Sequence, residues 1–174
     1  MMLPRYKRMV RAALFTALLA VLSQISIPMP SSVPVTLQIF AVALCGGCLG
    51  SLYGSVSAFA YLALGAVGVP VFSGFSGGVS ALLSYTGGFP LSFPALAVLC
   101  SVAARQKKKA GGILFSLVGL SACHLLGVLW YSAVGEVSFL QAFLVASVPY
   151  LGKDAALVLA ALYTSSYLKR RGIV

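Results

Sequence analysis

The sequence predicts an all-α membrane protein: one integral domain of six transmembrane helices, both termini cytoplasmic. Three observations lead there. Of 174 residues, 60% are hydrophobic and only 8% charged, with a mean hydropathy of +1.04. Long uncharged stretches recur along the chain without the period of two that marks a transmembrane barrel. Eleven of the twelve basic residues fall in three clusters: Arg5, Lys7, Arg8 and Arg11; Arg105, Lys107, Lys108 and Lys109; Lys169, Arg170 and Arg171. A soluble domain carries about 25% charged residues, and one of this length would lack the polar side chains to cover its surface. Disordered chains are poor in apolar residues, which excludes disorder. Four cysteines without regular spacing give no disulfide framework.

A helix needs about 20 mostly apolar residues to cross the hydrocarbon core. The first span is expected over residues 9–27. Its basic flank and apolar run imitate a secretory signal, but no small-residue cleavage site follows, so the span is expected to be retained. Residues 33–68 are too long for one crossing and short for two. Charge decides between these, because Lys- and Arg-rich flanks stay in the cytoplasm. A single crossing would put the second and third clusters outside. Two crossings, 35–49 and 52–68, turning between Gly46-Gly47 and Gly54, keep all three inside. Both are short, so tilt or bending is expected. The fourth and fifth spans follow over 79–104 and 112–134, and residues 138–168 read as one long final helix bent near Pro149. The outer connections 28–34 and 69–78 and the turn at Glu136 carry no Lys or Arg. The net charge of +10 is therefore an orientation signal and an attraction to anionic membrane lipid, not a nucleic-acid footprint. One domain is expected over residues 1–174.

The chain has two acids, and one of them, Asp154, sits beside Lys153 inside an apolar helix. An ionisable side chain at mid-span costs about 2.5–3.5 kcal/mol, so such residues mark ligand sites or pathways more often than they neutralise each other. Neighbours on a helix point about 100° apart, so the two are expected to face different directions. Asp154 is the stronger candidate, since a lysine snorkels more cheaply.

Gly74-Phe75-Ser76-Gly77-Gly78 matches the G-x-S-x-G nucleophile elbow, but that device needs a strand–turn–helix in a soluble sheet. An intramembrane serine hydrolase pairing Ser76 with His124 is the competing reading. An outer lid whose glycines bring backbone N–H groups close to a ligand fits better. Cys45-Gly46-Gly47-Cys48 lacks the partners of a four-ligand zinc site and reads as helix-packing residues. His124 by itself reads as a hydrogen-bonded interior residue. No P-loop occurs, so the chain does not bind ATP in that way.

Four segments in order then carry a resemblance. They are Val33-Pro34-Val35-Thr36-Leu37-Gln38; Gly65 to Gly74 leading into Ser76-Gly77-Gly78; Thr86-Gly87-Gly88-Phe89; and Val148-Pro149-Tyr150-Leu151-Gly152-Lys153-Asp154. Over residues 11–168 the chain resembles the BioY family, the biotin-binding S components of energy-coupling factor (ECF) vitamin transporters.

The resemblance implies an S-component-like bundle in the cytoplasmic membrane that binds and takes up biotin, is not an enzyme and needs no cofactor. Its implied partners are a transmembrane T protein, set against the Ala13/Ala17 spacing of the first span, and two ATPases. Some family members are thought to act without them. In such a site Asp154 would accept from the ureido N–H groups, and Phe72, Phe75, Tyr85, Phe89 and Tyr150 would pack the rings. Thr36, Gln38, Ser76, Thr86 and the Gly77 and Gly78 amides would add polar contacts. Lys153 would neutralise the tail carboxylate or hold Asp154 in place. Family members commonly carry a lysine three residues after the aspartate, where this chain has Leu157, and a basic residue early in span four, where it has none near residues 89–93. The nearest alternative within the class is an S component for another small vitamin.

Overall fold

Helix α1 (Arg5–Gln24) buries Ala12, Thr16, Leu19 and Ser23, a stripe at three- and four-residue steps. Two of these four are hydroxyls, and both are satisfied. Thr16 donates to the carbonyls of Ala12 and Ser57 at 3.0 and 3.2 Å, and Ser23 meets the Tyr61 hydroxyl at 2.9 Å. The opposite face, with Ala13 and Ala17, is exposed. The computed structural model describes residues 4–29 and 33–173; residues 30–32 of the expected outer loop lie outside them.

Strands β1 (Ser26–Ile27) and β2 (Val35–Thr36) then pair antiparallel, Ser26 opposite Thr36 and Ile27 opposite Val35. This clamp joins the two ends of the outer loop. Two-residue strands have no periodicity to detect, so sequence reasoning missed it.

Helix α2 (Gln38–Ala66) is broken at Gly50, whose φ of +86° and ψ of 176° lie in a region open essentially to glycine alone. The chain reverses there. A Cβ on Gly54 would stand 2.9 Å from the Gly46 Cα, and the Gln38 side chain donates to the Tyr61 hydroxyl at 2.9 Å. In a straight helix residues 38 and 61 would be about 35 Å apart. The two arms are therefore antiparallel, and the reversal falls inside the expected 46–54 interval.

Two boundaries differ from expectation. Residues 79–104 do not form one helix. A single-turn α3 (Val79–Leu82) ends at Leu83, and α4 (Gly88–Ala103) begins only after the Thr86-Gly87 turn. The Gly87 and Phe89 N–H groups bond locally to the Ser84 and Thr86 carbonyls, closing a turn in place of a helix. The final span, after α5 (Lys109–Gly135), is likewise two helices, α6 (Phe139–Ala146) and α7 (Val148–Arg170), meeting at 52°. The break is at Ser147, two residues before Pro149, whose missing N–H is harmless in the first turn of α7. A Ser138–Gln141 capping box starts α6.

Among the described residues this gives seven α-helices, not six uniform spans. By length and composition α2 and α5 are each long and apolar enough to cross a membrane, and the bent pair α6–α7 passes the same test when taken together. The first turns of α1 are basic, and α4 has 16 residues. α4 lies between α2 and α5, while α1 and α7 also pack on α2. Tyr61 anchors the core, edge-on to Phe72 at 5.3 Å and stacked on Phe93 at 6.3 Å.

The three basic clusters converge on one end of the bundle. Arg8 lies 5.9 Å from the Tyr53 ring, beside the Gly50 reversal. Arg105 reaches the same turn, 3.4 Å from where a Gly50 Cβ would be, and Lys169 lies close enough to Arg105 to feel its charge.

Candidate ligand-binding site

At the other end, a cavity of about 340 Å³ opens beneath the segment joining α2 to α3. That segment is built as a lid. Its strand-like ends bond Phe72 N–H to the Ser76 carbonyl at 3.0 Å around a 3-10 turn (Ser73–Phe75), and Gly78 N–H bonds the Gly65 carbonyl at 2.7 Å. The Phe72 ring lies flat against Gly65, where any Cβ would collide with it. Gln24, at the end of α1, holds the lid from below. Its amide donates to the Val71 and Phe72 carbonyls at 3.0 and 3.1 Å, and its oxygen accepts from Phe75 N–H at 2.9 Å.

Nine of the thirteen ligand-site residues expected from sequence line this cavity. Thr36, Gln38, Phe72 and Ser76 come from the clamp, α2 and the lid; Thr86 and Phe89 from the start of α4; Tyr150, Lys153 and Asp154 from α7. The other four stand off the wall. Phe75 is 72% exposed, pointing away at the lid's left-handed turn. The Gly78 N–H is already committed to the Gly65 carbonyl, a Cβ on Gly77 would collide with the Val69 carbonyl, and neither glycine lines the cavity. Tyr85 packs on Tyr131 at 5.7 Å, half-exposed.

The walls are mostly apolar, and one charged group is deeply set. Asp154 is 5% exposed. Its Oδ1 stands 2.6 Å from Lys153 Nζ and its Oδ2 stands 3.3 Å from His124 Nε2. The expectation that Lys153 and Asp154 face different ways needs correction. Their Cα–Cβ bonds do diverge along α7, but the four-carbon lysine stem curls back, and Nζ also donates to the Thr36 carbonyl at 3.1 Å. The head group thus ties α7 to β2 and neutralises the acid beside it.

His124 was expected as a hydrogen-bonded interior residue, and so it is: Nδ1 meets the Ser147 hydroxyl at 2.9 Å. It also lines the cavity, which its position on α5 did not disclose. Held at Nδ1 by Ser147, the ring keeps Nε2 beside Oδ2 of Asp154, so the imidazole backs the carboxylate. Ser147 is fully buried and absent from the cavity wall, which makes it a support for His124. Ser76 instead donates to the Ser73 carbonyl at 2.9 Å. With Nδ1 engaged by Ser147 and the Ser76 hydroxyl turned to Ser73, the Ser76–His124 pairing of a hydrolase does not form.

Gln38 is held from both ends, accepting from Thr36 Oγ1 at 3.2 Å and donating to Tyr61. Tyr150 donates to the Val33 carbonyl at 2.6 Å, tying α7 to the outer loop. The four cysteines are free thiols, and no group of three potential metal ligands occurs among the described residues.

The arrangement suits a small, partly apolar ligand bearing N–H donors for Asp154 and an anionic group for Lys153. A BioY family profile matches residues 2–172. Among curated proteins, the chain is 41% identical over 142 residues to the "Probable biotin transporter BioY" of Pyrococcus horikoshii, covering 82% of this chain and 83% of that one. It is 39% identical over 123 residues to the "Biotin transporter BioY" of Thermotoga maritima, covering 70% and 72%. With "Biotin transporter BioY2" of Lactococcus lactis the identity is 34% over 141 residues, covering 80% and 77%. Among solved structures, the crystal structure of the S-component for biotin from an ECF-type ABC transporter superposes with a TM-score of 0.85, at 24% identity, covering 95% of this chain and 92% of that one. At that identity the likeness establishes the fold.

Proposed function

The chain belongs to the BioY family, and from that premise we propose that it is the membrane subunit that captures biotin for uptake. It is a transporter subunit and not an enzyme. Biotin enters beneath the lid. Its ureido N–H groups bond to Asp154, its rings lie against Phe72, Phe89 and Tyr150, and its carboxylate draws Lys153 away from Asp154. Thr36, Gln38, Ser76 and Thr86 supply neutral polar contacts, and Phe75, Gly77, Gly78 and Tyr85 shape and carry the lid and rim. One observation carries this reading: a buried carboxylate on the wall of a mostly apolar cavity, whose countercharge is a flexible lysine that an incoming acid can recruit. A charge-assisted hydrogen bond in so dry a site is strong and directional.

The membrane arrangement we propose has six spans, the arms of α2 serving as the second and third and bent α6–α7 as the sixth. Both termini and the basic end lie in the cytoplasm of a cell bounded by this membrane. Convergence of the three clusters beside the Gly50 reversal supports that orientation. Ala13 and Ala17, on the exposed face of α1, are the proposed contact with an ECF T protein, with two ATPases supplying the energy.

The test is calorimetric titration of the purified full chain with biotin, thiamine and riboflavin in parallel. Tight binding of biotin alone is expected. Binding of another vitamin in its place would move the chain to a different specificity. Cysteine accessibility at position 108 tests the orientation, and labelling from outside the cell would reverse it.

A further inference from the structure

A second cavity, of about 410 Å³, opens at the basic end between α5 and α7. α7 contributes to both cavities, with Asp154 at one and Arg170 at the other, sixteen residues or about 24 Å apart. The second cavity therefore has no part in the site described above. It is lined by the exposed cations Lys107, Lys108, Lys109 and Arg170 and by the apolar side chains of Ile113, Leu159 and Leu162, of which the two leucines are half-buried.

No side-chain carboxylate answers these four cations. The chain has only two acids: Asp154 is paired in the other cavity, and Glu136 caps the far end of α5. A cavity lined by four positive charges without a carboxylate partner and by apolar side chains has a definite chemical complement, an anion attached to an alkyl chain. Tyr163 and Tyr167, 78% and 49% exposed, also line it, and tyrosines beside basic residues favour a membrane–water interface.

We propose that this cavity seats an anionic phospholipid, its phosphate held by Lys107–Lys109 and Arg170 and one acyl chain lying on Ile113, Leu159 and Leu162. The apolar side chains and the tyrosines select a lipid over a soluble anion, for which both would be wasted. Bound there, the lipid bridges the start of α5 to the end of α7, the two elements that also carry His124 and Asp154. The inference rests on the chain being a membrane protein and is independent of which vitamin it binds.

The purified full chain in neutral detergent is titrated with dioleoylphosphatidylglycerol and with dioleoylphosphatidylcholine, and retained lipid is counted by native mass spectrometry. Phosphatidylglycerol is expected to be retained in preference. Lys107→Gln/Lys108→Gln/Arg170→Gln should weaken its retention about tenfold or more, each cation near the surface contributing on the order of a fewfold. Arg5→Gln/Lys7→Gln/Arg8→Gln, which removes the same charge at the same end, should leave retention unchanged. Equal loss in both variants, or equal retention of the two lipids, overturns the proposal in favour of diffuse attraction. In the unmodified chain, sn-glycerol 3-phosphate should not compete. Displacement of the lipid at equal concentration would make this a soluble-anion site and overturn it as well.

Discussion

Lys153 Nζ stands 2.6 Å from Asp154 Oδ1, although the two residues are consecutive on α7 and leave the helix in different directions. The lysine's length closes the gap, and the Thr36 carbonyl takes another of its protons. The cavity thus carries its own countercharge before any ligand arrives. Pairing reduces the cost of burying a carboxylate, and a ligand with both N–H donors and an acid group can replace the pair without leaving either charge bare.

Replacing Asp154 by Asn keeps the shape and removes the charge. Biotin affinity is expected to fall by about 1.5–3 kcal/mol, the scale of a hydrogen bond to a charged group. Calorimetric titration reads it directly, and an unchanged affinity would take Asp154 out of the site.

His124→Ala removes the group that faces Oδ2 and leaves the Ser147 hydroxyl unanswered. A loss of about 1–2 kcal/mol in affinity is expected, smaller than for Asp154→Asn. Because His124 acts through Asp154, the double variant should lose less than the sum, and full additivity in the cycle would show that the imidazole works separately.

Gln24→Ala cuts the lid's side-chain ties at Val71, Phe72 and Phe75 while leaving the cavity wall intact. Hydrogen exchange at the Phe75 amide should accelerate, and biotin should dissociate faster with little change in Asp154-dependent binding enthalpy. Unaltered exchange at Phe75 would mean that the lid holds itself shut.

At Gly50 the backbone requires a conformation that an L side chain tolerates poorly, and α2 cannot reverse without it. Gly50→Ala is expected to cost about 1–3 kcal/mol of stability. Thermal unfolding in detergent measures it. No shift would show that the turn can be made with an ordinary residue.

Ala13→Leu/Ala17→Leu alters only the exposed face of α1. Biotin binding by the isolated chain should persist while cellular uptake and co-purification with a T protein fail. Normal uptake would place the docking surface elsewhere.

Composition alone carried the membrane class, because a chain with so few charged side chains has no other solvent to fold in. The basic clusters pointed to a reversal within residues 35–68, and the chain does reverse there, at Gly50. Asp154 stood out as a candidate because charge in an apolar helix is expensive wherever the helix goes, and it lies buried on a cavity wall. Boundaries were less legible. The Thr86-Gly87 turn and the Ser147 bend sit inside runs as apolar as any helix, and hydropathy is blind to where hydrogen bonds stop repeating.

What the sequence determined by itself was therefore the solvent, the reversal near Gly50 and the identity of the buried acid, all of which follow from local composition and charge. Only the tertiary structure decided that His124 and Ser147 stand behind Asp154, that Lys153 turns back to meet it, and that Gln24 fastens the lid. These are distances between side chains on different helices, or the rotamer of one long stem. They are set by how the bundle packs, which no window of consecutive residues contains.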